Sequence, residues 1–157
     1  MADAPDLTLT AVGSERSLAL QAPGVATVLI CIAQETEEQA AAIENAVRAL
    51  YPNPGDVLIA HVIDLRNVPG MFRRVAEGIL AAEHKKAVGE LTDGQDPADH
   101  VIILPDWQGE VAKSLNLPEP SKTICGAVLS AEGDVMGTYE GTDAKNVLML
   151  IDYAFQA

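Results

Sequence analysis

Cysteine is nearly absent from this chain: Cys31 and Cys125 are the only two among 157 residues. Two thiols make neither a disulfide-rich scaffold nor a cysteine metal cluster. Positive charge is scarce as well. Ten Lys and Arg stand against 23 Asp and Glu, a net charge of −13. Such a surface repels phosphate backbones and anionic bilayers, so neither nucleic acid nor a membrane is an expected partner. No run approaches the roughly 18 apolar residues that span a bilayer. The start, Met1-Ala2-Asp3-Ala4-Pro5-Asp6, has no basic region followed by an apolar one, which makes a cytoplasmic location the expectation. Neither G-x-G-x-x-G nor a Walker-type loop occurs, so nothing supports a phosphate cradle. Without repeats, low-complexity tracts or a linker, the 48% hydrophobic chain reads as one domain over residues 1–157.

What is present is an alternation of buried strands and helices. Residues 7–9 and 18–20 flank Gly13-Ser14-Glu15-Arg16 and read as a hairpin. Residues 25–33 are a continuous apolar run rich in β-branched types, as in a central strand buried on both faces. Thr36 then opens a helix in a Thr-x-x-Gln capping-box pattern with Gln39, with Glu37 and Glu38 in the dipole-favoured first turn. Ile43, Val47 and Leu50 follow at helical spacing, and Pro52-Asn53-Pro54-Gly55 stops the helix. Residues 57–64 form a second buried strand. Beyond Pro69-Gly70 a long helical pattern runs to about Leu91, with Phe72, Val75, Ile79 and Ala82 on one stripe. A strand over residues 100–104 leads to Asp106, the expected N-cap of a helix over 108–115. Residues 123–129 and 135–140 flank the hairpin signal Ser130-Ala131-Glu132-Gly133-Asp134, and a helix over 143–155 closes the chain. A hairpin followed by βαβαβαββα implies a largely parallel sheet, covered by helices, with late antiparallel strands.

Several segments, in order, resemble one superfamily. Ala4-Pro5-Asp6-Leu7-Thr8-Leu9 is similar to the opening of peroxiredoxins and thioredoxin-like redoxins (the AhpC/TSA type). Asp106-Trp107-Gln108-Gly109-Glu110-Val111-Ala112 followed by Leu115-Asn116-Leu117 resembles their short late helix. Ser130 to Gly137, ending at Gly141, resembles their last hairpin. The resemblance implies a thioredoxin-like three-layer α/β/α sandwich with a mixed central sheet and an N-terminal β-hairpin. It also implies a reactive cysteine where the first central strand meets its helix, because a helix N-terminus lowers a thiol pKa and exposes the thiolate. Residues 34–42 contain no cysteine. Gln34, Glu35, Thr36, Glu37 and Glu38 stand there, and their carboxylates disfavour a thiolate. The family's cis-proline belongs near Ile124 or Cys125, whereas Pro118 and Pro120 lie upstream. The resemblance therefore marks Gln34–Glu38, Ile124 and Cys125 as a degenerate active-site region.

Other residues have ordinary readings beside functional ones. Cys125 is a small hydrophobe opening an apolar strand, or else a single redox-active, metal-binding or electrophile-binding thiol. Cys31 reads as core. In a thioredoxin-like sheet their strands are antiparallel neighbours, and a disulfide between them is allowed but not favoured. His61, His84 and His100 have no ligand spacing, and His61 and Asp64 point to opposite faces of one strand, so no metal or cofactor is expected. The Glu35/Glu37/Glu38 group reads as first-turn charge, with cation or basic-partner binding as the alternative. Arg66, Arg73, Arg74, Lys85 and Lys86 are half of the basic residues and lie in or before one helix, a surface suited to an acidic protein partner. Glu77, Glu83 and Glu90 interleave with them as ordinary intrahelical pairs. Met71 and Phe72 read as core, or as an apolar anchor beside the cations.

The preferred function is binding: a redox-inactive accessory, chaperone-like or assembly protein, or a homodimer subunit. The alternative is a thiol-dependent oxidoreductase or peroxidase using Cys125, with or without Cys31. A weaker third reading is a small-ligand protein using the cleft above the strand ends.

Overall fold

The structure, a computed structural model, describes residues 2–156; Met1 and Ala157, the ends of the expected domain, lie outside them. Its strands are β1 (Ala2–Asp3), β2 (Thr8–Thr10), β3 (Ser17–Ala19), β4 (Ala26–Ile32), β5 (Val57–Asp64), β6 (Ile103–Asp106), β7 (Cys125–Leu129) and β8 (Asp134–Glu140). The helices are α1 (Ala40–Leu50), α2 (Arg73–Gly89), α3 (Pro97–His100), α4 (Glu110–Ser114) and α5 (Ala144–Gln156), with 3-10 turns at Gln34–Gln39 and Gly70–Phe72.

β4 is buried at every position, as its unbroken apolar sequence requires. It pairs in parallel with β5 and antiparallel with β7. The six-stranded order is β1-β8-β7-β4-β5-β6, and β2 and β3 form a separate antiparallel hairpin. Alternate β4 side chains feed two apolar layers. Val28, Ile30 and Ile32 meet Ile43 and Val47 of α1 and Val147 and Ile151 of α5. Leu29 and Cys31 meet Leu18 of the hairpin, Val111 of α4, Leu104 and Cys125 on the other face. This is the expected three-layer α/β/α sandwich with a mixed central sheet and an N-terminal hairpin. α2 closes the β6 side, where Leu80 packs against Leu65, Val101 and Ile103.

Four details depart from the sequence reading. The strand expected at 100–104 starts at Ile103, because Asp96 accepts from Ala98 N and caps the α3 turn that absorbs His100. Asp106 does cap the helix after it, but from a distance. Its carboxylate accepts from the backbone N–H groups of Glu110 and Val111 at 3.0 and 2.9 Å, while Gly109, at φ 67°, turns the chain between them. Leu50, placed on the apolar spacing of α1, is exposed at the helix end. β1, which the sequence does not announce, pairs Ala2 and Asp3 with Val135 and Asp134 of β8.

The β4–β7–β8 region closes over one glycine. Tyr139 Oη donates to Leu29 O at 2.7 Å. A Cβ on Gly126 would sit 1.9 Å from that carbonyl oxygen and 2.5 Å from the Tyr139 hydroxyl. Gly126→Ala is expected to destabilise the protein by about 3 kcal/mol, since rigid backbone must move. Tyr139→Phe is expected to remove only about 1 kcal/mol. Urea unfolding of the two variants, compared through their midpoints, checks the ranking.

Candidate functional site

The corner after β4 is built around Thr36. Ala33 is extended, and the 3-10 turn Gln34–Gln39 carries the chain into α1. The expected cap at Thr36 with Gln39 is not formed. Thr36 lies inside the turn, 2% exposed; its hydroxyl accepts from Ala33 N at 3.1 Å and donates to Pro120 O at 2.7 Å. One hydroxyl thus caps the start of its own turn and ties the corner to the segment before β7. Gln34, Glu35, Glu37 and Glu38 remain exposed around it, while Ile124 and Cys125 are completely buried at the start of β7. The residues that the resemblance marked thus divide into an outer acidic rim and a separate buried layer.

The two thiols belong to that buried layer. Cys31 and Cys125 are direct partners in the antiparallel β4–β7 register, both free, with at most 1% exposure. Cys125 Sγ donates to Pro118 O at 3.6 Å. Contact with Cys125, together with burial, pushes the Cys31 thiol well above its ordinary range. No thiolate is presented to solvent, which is what exchange with a macromolecular disulfide requires.

The open feature nearby is a groove on the sheet face between α1 and α2. One part, about 380 Å³, lies between the corner and α2 over Ile32, Ile63, Leu65, Ile79 and Leu80. A second, about 490 Å³, continues past Ala40, Glu44, His61 and Ile103, sharing Ile32, Glu37, Ile63 and Glu83 with the first. Glu35, Glu37, Glu44 and Glu83 wall this apolar floor. Burial, then the charge of Glu37 and a hydrogen bond with it, push the Glu83 carboxyl upward. Glu44 moves the other way: its contact with His61 Nε2 at 3.1 Å holds its carboxyl below the usual range despite burial. Sequence reasoning did not find this pair, which joins a helix to a strand 17 positions away.

The stripe on α2 turns outward. Met71, Phe72, Val75 and Ile79 are 83%, 51%, 59% and 53% exposed, and Leu80 alone on that helix is fully buried. The core placement of Met71 and Phe72 is therefore corrected: α2 packs through Leu80, with Ala87 and Val88, and leaves the periodic face free. Of the nearby cations, Arg66 grips Asp64 through two guanidinium nitrogens and lies against Gly109. Arg73 contacts Glu77 at 3.2 Å and lies 4.3 Å from the centre of the Trp107 ring. Arg74, Lys85 and Lys86 are exposed and form no ion pair among the described residues. The histidines are scattered: His61 faces Glu44, His84 packs on the Gly13 turn, and His100 Nδ1 lies 3.0 Å from Asp96 O. Among the described residues no group of three or more His, Cys, Asp or Glu is placed to hold a metal ion. No helix among them is long and apolar enough to cross a membrane.

No family model matches the chain, and no curated protein sequence matches it. Solved structures do. The exposed lipoprotein thioredoxin of Streptococcus pneumoniae is 18% identical with a TM-score of 0.61, covering 95% of this chain and 99% of its own. BsSco, of the Sco family of cytochrome c oxidase assembly proteins, is 14% identical with a TM-score of 0.62, covering 98% and 94%. StoA of Bacillus subtilis is 14% identical with a TM-score of 0.56, covering 94% and 98%. The chain has the thioredoxin-like fold. That likeness fixes the scaffold and leaves the chemistry to the residues above.

Two outcomes follow from the corner and the groove. Thr36→Val keeps the volume but leaves Pro120 O and Ala33 N unpaired, and is expected to cost about 2 kcal/mol in urea unfolding. Glu83→Gln tests the carboxylate contact through pH. The Glu83 pKa is raised on folding, so the native state holds the proton more tightly, and stability falls as pH rises from about 4.3 through the raised value. Above that window Glu83→Gln is expected to melt higher than wild type, with the gain vanishing below it. A gain independent of pH would rule out the contact.

Proposed function

We propose that this protein works by binding a polypeptide segment in the groove between α1 and α2, as an accessory or assembly factor, and does not catalyse thiol exchange. The observation that carries this is the outward apolar face Met71, Phe72, Val75 and Ile79 beside an open apolar floor. Exposed apolar side chains that cluster on one face mark interaction sites. The acidic wall of Glu35, Glu37, Glu44 and Glu83 suits a segment that offers apolar and basic side chains together. An acidic partner, the sequence expectation, would instead meet Arg74, Lys85 and Lys86, since Arg66 and Arg73 are engaged within the chain. The scaffold itself supports a binding role, because one neighbour of the same fold is named for its family of assembly proteins. Burial of both thiols speaks against the oxidoreductase alternative through Cys125.

The test compares capture from the native host by wild type, by Val75→Glu/Ile79→Glu and by Arg74→Glu/Lys85→Glu/Lys86→Glu. The first variant is expected to lose the bound protein at an unchanged melting temperature, since both side chains are exposed, and the second to retain it. Retention by the first and loss by the second would move the site to the cations. In parallel, insulin reduction by dithiothreitol is expected to run no faster with the protein than without it; a severalfold acceleration would replace binding by exchange.

A further inference from the structure

We propose that Cys31 and Cys125 are a dithiol site that low-molecular-weight disulfides close into an intramolecular bridge, loosening the segment that holds the corner. The geometry is the register. Directly opposed residues of an antiparallel pair have Cα atoms about 4.5 or 5.5 Å apart. Both spacings fall inside the roughly 4.4–6.8 Å that a disulfide spans. The pair is directly opposed, its side chains share one face, and each thiol is the other's side-chain neighbour. The register alone brings the two side chains to adjacent positions on one face of the sheet.

Access comes from the C-terminal end of the pair. Residues 115–124, between α4 and β7, carry neither helix nor strand. Three side-chain ties hold the middle of this segment: the Cys125 thiol donates to Pro118 O, the Asn67 amide donates to the Glu119 carboxylate, and the Thr36 hydroxyl donates to Pro120 O. Local opening there exposes Cys125 first, because it is the first residue of β7. The Cys125 thiolate attacks one sulfur of glutathione disulfide, forming a mixed disulfide and expelling one glutathione thiolate. Cys31 then attacks the Cys125 sulfur and expels the second. Two S–H bonds are lost and one S–S bond forms. The oxidant is reduced to two thiols, and the two protons end on them. The bridged Cys125 has no S–H, so Pro118 O loses its donor and the segment keeps only its side-chain ties at Glu119 and Pro120. The bridge lies in the core and leaves no thiol at the surface, so this inference neither depends on the binding reading nor alters the insulin assay.

The test uses the intact chain. Reduced protein is incubated with glutathione disulfide, quenched in acid, unfolded, alkylated and weighed by mass spectrometry. The expected product is lighter than the reduced protein by two hydrogens, takes no alkyl group, and yields a proteolytic fragment joining Cys31 to Cys125. The wild-type arm needs no variant. Cys31→Ala, checked for a native melting transition, is expected to stop at the glutathione adduct of Cys125. Full alkylation of both thiols after prolonged incubation, or a mixed disulfide that persists in wild type, would overturn the site. Amide exchange over residues 117–124 is expected to speed up severalfold in the bridged protein; unchanged exchange would overturn the link to the corner.

Discussion

Burial of β4 on both faces is the constraint from which the rest of the molecule follows. A strand with no exposed position needs an apolar layer above and below and a hydrogen-bonding partner on each side. α1 and α5 supply one layer, and the hairpin with α4 supplies the other. β5 and β7 supply the partners, one parallel and one antiparallel. The same confinement puts Cys31 in the core, and a glycine at 126 leaves the space through which Tyr139 reaches Leu29 O.

The corner beyond β4 shows how a scaffold can keep its shape without presenting a thiolate. An exposed thiolate there needs a thiol, a helix N-terminus and no competing negative charge. Here a threonine fills the interior of the turn, and carboxylates occupy its rim. The same carboxylates that would oppose a thiolate give the groove its electrostatic character. α2 adds apolar surface that no other element among the described residues covers. This side therefore presents an apolar floor between acidic walls.

The fold was largely legible in the sequence because its strongest signals are local. The run at residues 57–64 is a strand with those bounds, and the hairpin signal at Ser130–Asp134 lies where β7 turns into β8. What failed was anything decided by a distant partner. The periodicity of Phe72, Val75 and Ile79 announces a helix with an apolar face, but not whether a layer exists to cover it. Leu80, one position off the stripe, is the residue that packs. Thr36 carries a local cap pattern with Gln39, yet its hydroxyl bonds back to Ala33 N and across to Pro120 O. The Glu44–His61 contact has no sequence signature because it joins a helix to a strand across the sheet face. The cysteines fall between these cases: topology makes their strands neighbours, whereas their direct opposition depends on a register that composition does not encode.

The Thr36–Pro120 hydrogen bond has a kinetic meaning. Its two ends are 84 residues apart in sequence, so neither α1 nor the segment before β7 can make it alone. It becomes available once β4 and β7 are aligned as direct neighbours, with β5 and β6 on the other side of β4. Loop closure of that length comes late in folding, because its entropy is lost before the contact is gained. The corner is therefore a long-range joint of the sheet, whose closure entropy must be met before its hydrogen bond is gained.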